Sequence, residues 1–132
     1  MADRVVLLDT HALVWWTGQP DLLGKKAHAA VESAARILIP AIVFWEVALL
    51  VRKKRLSLGQ DTTPARWMDR VLAIPRVAPA PLTPAIAVAA DGLTMHPDPA
   101  DRFIVATALQ EKAPIITKDG LLRDLALVRT IW

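Results

Sequence analysis

The sequence contains no cysteine, two serines and three histidines in 132 residues. The lack of cysteine excludes a disulfide scaffold, a thiolate zinc site and a cysteine nucleophile, and it fits a reducing cytosol. Ser33 and Ser57 lie outside any nucleophile-elbow context, so the sequence does not favour serine hydrolysis. His11, His28 and His96 show no spacing that suggests a metal site or a catalytic triad.

Long apolar runs are also missing. The longest, residues 37–51, is interrupted by Pro40 and Glu46 and is shorter than the ~18–20 residues of a membrane span. Residues 5–8 are continuously apolar but end at Asp9, which is too short for the core of a signal peptide. We therefore expect a cytoplasmic protein that has no membrane partner.

The length and composition suit one domain. A chain of this length can bury one core but not two, so we predict a single domain over residues 1–132. The hydrophobic fraction of 54% lies above the ~45–50% apolar share of soluble domains, which is compatible with apolar surface that a partner covers. The net charge of +3 permits a polyanionic partner without requiring one.

Buried strands alternate with helices along the chain. Strands are predicted at residues 5–8, 37–39 and 114–117, with a last one over 126–131. Helices are predicted over residues 11–18, 24–36, 41–55, 64–72, 84–90 and 98–112, and the four prolines of 75–84 indicate a loop or an edge strand. Strands that are apolar at nearly every position are typical of a parallel sheet covered on both faces. The order predicts an α/β fold with a central parallel sheet flanked by helices.

Three aspartates are expected at the carboxyl edge of this sheet, where open parallel sheets bind their ligands. Asp9 follows the first strand, Asp119 follows the third, and Asp101 lies in the first turn of a helix that begins at the same edge. Each has a structural alternative. Asp9 suits a helix N-cap, Asp98 with Pro99 and Asp101 is a common helix start, and Asp119 precedes a glycine in a turn-like pair.

Glu46 is the only acid within an otherwise apolar segment. On a helix it shares a stripe with Ile42, Leu49 and Leu50, and we expect that stripe to face the interior. A buried carboxylate is costly unless a cation compensates its charge. The alternative is that Glu46 reaches water or an arginine.

Converging carboxylates repel one another unless divalent cations neutralise them. Oxygen ligands without cysteine or histidine select Mg²⁺, or Mn²⁺, over zinc. Such a site, with one ion or two, activates water and stabilises the leaving oxygen in phosphodiester cleavage. The acids therefore point to a nuclease.

Four segments resemble PIN domains, and within them the VapC-type toxins of toxin–antitoxin pairs. They are residues 7–16 (LLDTHALVWW), 44–48 (FWEVA), 98–108 (DPADRFIVATA) and 116–119 (ITKD). The resemblance implies a Rossmann-like parallel sheet and a Mg²⁺-dependent endoribonuclease that cleaves RNA. It also implies a set of metal-binding and catalytic acids, namely Asp9, Glu46, Asp101 and Asp119, with Asp9 and Asp101 as the most direct ligands. Asp98 would be an accessory acid or helix cap, and Thr117 would orient the fourth acid or a water.

The same resemblance implies a homodimer and a cognate, VapB-like antitoxin. Two other functions stay open at this point. One is a PIN nuclease acting on DNA or flap structures, although the short chain has no evident duplex-binding insertion. The other is a non-catalytic PIN-fold binding module whose acids only cap helices and shape turns, and Glu46 is the residue that this alternative explains least well.

Overall fold

In the described part of the chain, five strands form one fully parallel sheet, with the spatial order Val77–Ala80, Arg36–Pro40, Val5–Leu8, Ile115–Ile116 and Thr130–Ile131. The structure, a computed structural model, describes residues 4–132, so residues 1–3 of the predicted domain lie outside the described part. The strands are β1 (Val5–Leu8), β2 (Arg36–Pro40), β3 (Val77–Ala80), β4 (Ile115–Ile116) and β5 (Thr130–Ile131).

Helices connect the strands and cover the sheet. They are α1 (Thr10–Gly18), α2 (Lys25–Ser33), α3 (Ala41–Arg52), α4 (Pro64–Leu72), α5 (Pro84–Asp91), α6 (Pro99–Glu111) and α7 (Gly120–Arg123), with a 3₁₀ turn at Pro20–Leu22. The predicted α/β architecture is confirmed. In the described part of the chain, no helix combines the length and the apolar character needed to cross a bilayer.

The central strand β1 explains the continuous apolar run near the start of the chain. Val6, Leu7 and Leu8 are each 0% exposed, because β1 lies between β2 and β4 and its side chains pack in the core between the sheet and the helices. A strand that is buried on both faces has no position for a polar side chain. The first polar residue after this run, Asp9, therefore stands where the strand leaves the sheet.

Several predicted boundaries are wrong, and the backbone supplies the reasons. The helix predicted over 41–55 ends at Arg52, because the chain turns through Lys54 with a φ of 58°. The last strand is reduced to Thr130–Ile131, since its single neighbour β4 offers a ladder of only two residues. Asp119 and Gly120 begin the one-turn helix α7 rather than an isolated turn.

Two further differences concern a helix end and the proline-rich segment. The helix predicted over 24–36 ends at Ser33, because Arg36 already belongs to β2. Within 75–84, residues 77–80 form the edge strand β3. Pro79 fits there because an edge strand has one side without a ladder partner.

Candidate active site

One pocket of about 500 Å³ opens at the carboxyl ends of β1 and β4. It is lined by all five predicted acids, namely Asp9, Glu46, Asp98, Asp101 and Asp119. They come from four places in the chain: the ends of β1 and β4, the middle of α3 and the start of α6. The topology thus brings together carboxylates that are far apart in the sequence. For Asp9, Asp101 and Asp119 this convergence was predicted from their strand-end and helix-start positions.

Asp9 is the most buried of these acids, with 8% of its surface exposed. It is the N-cap of α1, where its Oδ1 accepts a hydrogen bond of 3.0 Å from the backbone N–H of Ala12. Its Oδ2 accepts a hydrogen bond from the hydroxyl of Thr117. Burial raises the pKa of Asp9 to about 6, although these two hydrogen bonds favour the ionised form.

Thr117 connects the ends of the two central strands. It is fully buried, and while its hydroxyl donates to Asp9, the same oxygen accepts from the backbone N–H of Asp119 at 3.0 Å. Its hydroxyl therefore contacts the side chain of Asp9 and the main chain of Asp119. The sequence placed Thr117 beside Asp119, but its contact with the Asp9 carboxylate was not predicted.

Asp98 and Asp119 are both helix N-caps. Asp98 accepts from the N–H of Ala100 at 3.1 Å at the start of α6, and Asp119 accepts from the N–H of Leu121 at 2.8 Å at the start of α7. With Asp9, three of the five acids therefore cap helices. Capping or a helix start was the predicted structural alternative for Asp9 and Asp98, whereas a turn was the alternative predicted for Asp119. Since the same three side chains also line the pocket, capping does not separate the two interpretations.

Glu46 and Asp101 have no such capping role. Thr10 donates its hydroxyl to Glu46 Oε1 at 2.6 Å, and the Glu46 side chain is half-buried at the pocket wall. The prediction that its stripe faces the interior is wrong. The fully buried residues of α3 are Val43 and Val47, which places the Glu46 stripe at the edge of the core.

Asp101 is half-buried in the first turn of α6, and its Oδ2 lies 2.8 Å from Nε2 of His96. The ionised carboxylate is an acceptor only, so the imidazole N–H is the donor. His96 was not predicted to be part of the site. It lies five residues before Asp101, and its position depends on how the loop before α6 folds back.

The acids disfavour one another's charge. Burial is the largest cause that raises the pKa of Glu46 and of Asp101, and neighbouring carboxylates raise both further. Asp98 acts on both residues, while Asp119 adds to the effect on Asp101. Because each group carries its charge at a cost, a cation in the pocket would stabilise the ionised forms.

The donors fit a hard divalent cation that keeps part of its water shell. Within residues 4–132, no three side chains of the histidine, cysteine or acidic type are arranged to hold a metal ion by themselves. Mg²⁺ seldom needs such a cage, because it is usually bound through one or two carboxylates, several waters and substrate phosphates. Asp9 is buried, Asp101 is half-buried, and both line an open pocket. They therefore match this mode of Mg²⁺ binding.

The pocket also has an aromatic and basic wall, formed by Trp15, His11 and Lys118. The ring of Trp15 lies 5.6 Å from that of His11, and Lys118 Nζ is 5.9 Å from the Trp15 ring centroid. Trp132 packs against Trp15 with ring centroids 5.7 Å apart. His11 and Lys118 were not predicted to line this pocket.

Comparisons with known proteins agree with this architecture. The PIN-domain family model matches residues 6–127. Ribonuclease VapC22 of Mycobacterium tuberculosis is 34% identical over 131 residues, an alignment that covers 96% of this chain and 98% of that protein.

Two solved structures share the fold. One is VapBC2 of Rickettsia felis bound to a DNA fragment from its promoter, with a TM-score of 0.68, 16% identity and 96% of each chain covered. The other is a toxin–antitoxin complex from Klebsiella pneumoniae, with a TM-score of 0.63, 18% identity, and 93% of this chain and 94% of that chain covered.

Proposed function

This chain belongs to the PIN-domain family, and from that premise we propose that it is the toxin of a type II toxin–antitoxin pair, a Mg²⁺-dependent endoribonuclease of the cytoplasm. The observation that carries the proposal is that Asp101 and Glu46 both line the pocket at the carboxyl ends of β1 and β4, which we call the acidic pocket. Both carboxylates are half-buried with raised pKa values, and helix capping explains neither. The ribonuclease activity of the relative in Mycobacterium tuberculosis supports the same conclusion.

In this proposal Asp9 and Asp101 hold the ion directly, while Glu46 and Asp119 complete its surroundings. When bound, Mg²⁺ or Mn²⁺ supplies the positive charge that lowers the pKa of an attacking water and stabilises the departing oxygen. Thr117 and Thr10 keep two of the carboxylates in fixed orientations by donating to Asp9 and Glu46. Asp98 adds negative charge at the rim and caps α6.

The aromatic and basic side chains of the pocket suit single-stranded RNA. A half-buried indole such as Trp15 offers a surface for stacking an unpaired base, and the exposed Lys118 offers a cation for a neighbouring phosphate. The amino termini of α1 and α6 open onto the same pocket, where the helix dipoles favour negative charge.

Exposed apolar side chains support the proposed protein partners, a cognate antitoxin and a second copy of the chain. Trp45 on α3 is 56% exposed, Val88 on α5 is 76% exposed and Leu121 on α7 is 60% exposed. Tryptophan is enriched among the residues that contribute most to protein interfaces, which makes Trp45 the best anchor for a partner. The structural relative from Klebsiella pneumoniae is described as a toxin–antitoxin complex.

The test is cleavage of pooled cellular RNA by the purified protein, in Mg²⁺ and in EDTA. Asp101→Asn keeps the size of the side chain and removes its charge, so we expect cleavage to fall by about 100-fold or more while the fold is retained. Asp69→Asn is the matched control, since Asp69 is exposed on α4 outside the pocket lining. It should cleave like the wild type. All three proteins are prepared identically, so that residual cleavage by Asp101→Asn measures any contaminating ribonuclease.

Equal cleavage by the Asp101→Asn and wild-type proteins would overturn the proposal. Matched RNA and DNA oligonucleotides distinguish the ribonuclease from the DNA or flap-type nuclease. A protein that neither cleaves nor gains thermal stability in Mg²⁺ would instead be the non-catalytic binding module.

A further inference from the structure

Arg102 fixes the conformation of the loop between α5 and α6. It lies next to Asp101 in the first turn of α6, and its guanidinium donates to five backbone carbonyls. The acceptors are His96 (3.1 Å, from Nε), Ala90 (3.0 Å), Leu93 (3.1 Å) and Asp91 (3.3 Å, all three from Nη1), and Met95 (2.8 Å, from Nη2). One side chain therefore connects the end of α5, the loop and the start of α6.

This loop carries His96 to Asp101. The main chain of His96 is held by Nε of Arg102, and its imidazole donates to Asp101 Oδ2 at 2.8 Å. The side chains of His96 and Asp101 are 20% and 16% exposed. The contacts form a continuous path from Arg102, through the backbone of the loop, to one oxygen of a carboxylate in the acidic pocket.

We propose that Arg102 is a positioning residue for the divalent-cation site, acting through His96 on the carboxylate of Asp101. The inference rests on the proposed function, because it assigns a role toward the ion that this function requires. A hydrogen-bonding partner fixes the orientation of a metal-binding carboxylate, and removing such a partner typically weakens metal binding by about 10–100-fold. Arg102 itself touches neither the ion nor the RNA.

An arginine is needed because the acceptors surround it. Its planar guanidinium has five N–H donors in a rigid arrangement, whereas a lysine ammonium has three on a flexible stem. Two of the acceptors, the carbonyls of Ala90 and Asp91, belong to the last turn of α5, where carbonyls lack partners within the helix. Arg102→Lys therefore keeps the charge while releasing part of the loop.

Arg76 offers a matched control elsewhere in the chain. Its guanidinium also donates to backbone carbonyls, those of Val31 at 3.0 Å and Ala34 at 2.6 Å, with a longer contact to Glu32 at 3.4 Å. These carbonyls are at the end of α2, outside the acidic pocket. Arg76→Lys thus reports what loosening an arginine contact with the main chain does to stability alone.

The experiment is a titration of the metal-free full chain with Mn²⁺, with free Mn²⁺ followed by electron paramagnetic resonance. We expect Arg102→Lys and His96→Ala to raise the Kd for Mn²⁺ by about tenfold or more. His96→Gln, whose amide N–H can replace the imidazole N–H, should stay close to the wild type, as should Arg76→Lys. In cleavage assays the KM for RNA should remain unchanged in all four variants.

An Arg102→Lys protein that binds Mn²⁺ as tightly as Arg76→Lys would overturn the inference. So would equal Kd values for His96→Ala and His96→Gln, a comparison that stands even if Arg102→Lys does not fold. If the wild type binds Mn²⁺ and cleaves RNA while these variants match it, only the positioning role fails. If the wild type binds no Mn²⁺ and cleaves no RNA, both the positioning role and the proposed function are wrong.

Discussion

At the scale of single residues, Thr117 joins two parts of the pocket with one hydroxyl. It donates to Asp9, which is 108 residues away in the sequence, and accepts from the N–H of Asp119. Thr117→Val has nearly the same shape but leaves both groups one partner short. We expect it to lower the free energy of unfolding by about 1–3 kcal/mol and to reduce cleavage.

Thr117→Ser is the control for this prediction, because it retains the hydroxyl. Urea unfolding and Mg²⁺-dependent cleavage, measured on both variants, check it. If the valine and serine proteins behave alike, the hydroxyl contributes neither stability nor orientation.

The sequence was informative about residues whose position follows from local structure. Asp9, Asp101 and Asp119 stand at strand ends or helix starts, so an α/β topology alone brings them to one edge. His96 could not be found in this way. Its contact with Asp101 depends on a loop conformation that Arg102 sets through five tertiary hydrogen bonds. The hydrophobic periodicity of the sequence contains no information about those bonds.

At the scale of elements, α6 depends on Asp98 at its start. The Asp98 carboxylate accepts from the N–H of Ala100, and asparagine replaces aspartate well as an N-cap, whereas alanine does not. We expect Asp98→Ala to cost about 1 kcal/mol of stability and Asp98→Asn to cost little. Thermal unfolding of the two proteins measures this difference.

Cleavage by the same pair separates the two roles of Asp98. Equal losses in both variants would assign its contribution to charge at the rim, and a loss in the alanine protein alone would assign it to the capping of α6. A full loss of activity in Asp98→Asn, comparable to that of Asp101→Asn, would contradict an accessory role.

The helix α3 shows why an element can be predicted while its orientation is not. Its sequence is apolar on all sides up to Arg52, so hydrophobic periodicity indicates a helix without indicating which face is buried. Packing selects Val43 and Val47 for the interior, and Glu46 is left at the pocket wall. The interpretation of Glu46 as a functional residue rested on the prediction that its side of the helix is buried, and that prediction is wrong.

At the scale of the whole molecule, the buried acids make the stability of the metal-free chain depend on pH. The pKa of Asp9 rises from 3.8 to about 6 on folding, so the native chain holds this proton more tightly than the unfolded chain. The contribution of this group to the free energy of unfolding therefore falls as pH rises between these two values, and the loss reaches about 3 kcal/mol at neutral pH.

Without metal, we expect the free energy of unfolding of Asp9→Asn to increase relative to that of the wild type as pH rises from about 4 to 7. Thermal unfolding in EDTA across this range checks the sign. Saturating Mg²⁺ should reduce the difference, because the ion stabilises the charged wild-type site and has less to bind in the variant. A stability difference that shrinks with rising pH in EDTA would contradict the assignment.

The sheet order has a further consequence for the time at which the protein becomes active during its synthesis. The first strand contributes Asp9, but its neighbour β4, with Thr117 and Asp119, follows Glu46, Asp98 and Asp101 in the chain. Chains are made from the amino end, so a growing polypeptide has four of the five acids before the strand that holds Asp9 in place has been made. The pocket is therefore assembled only after residues 115–119 have been synthesised.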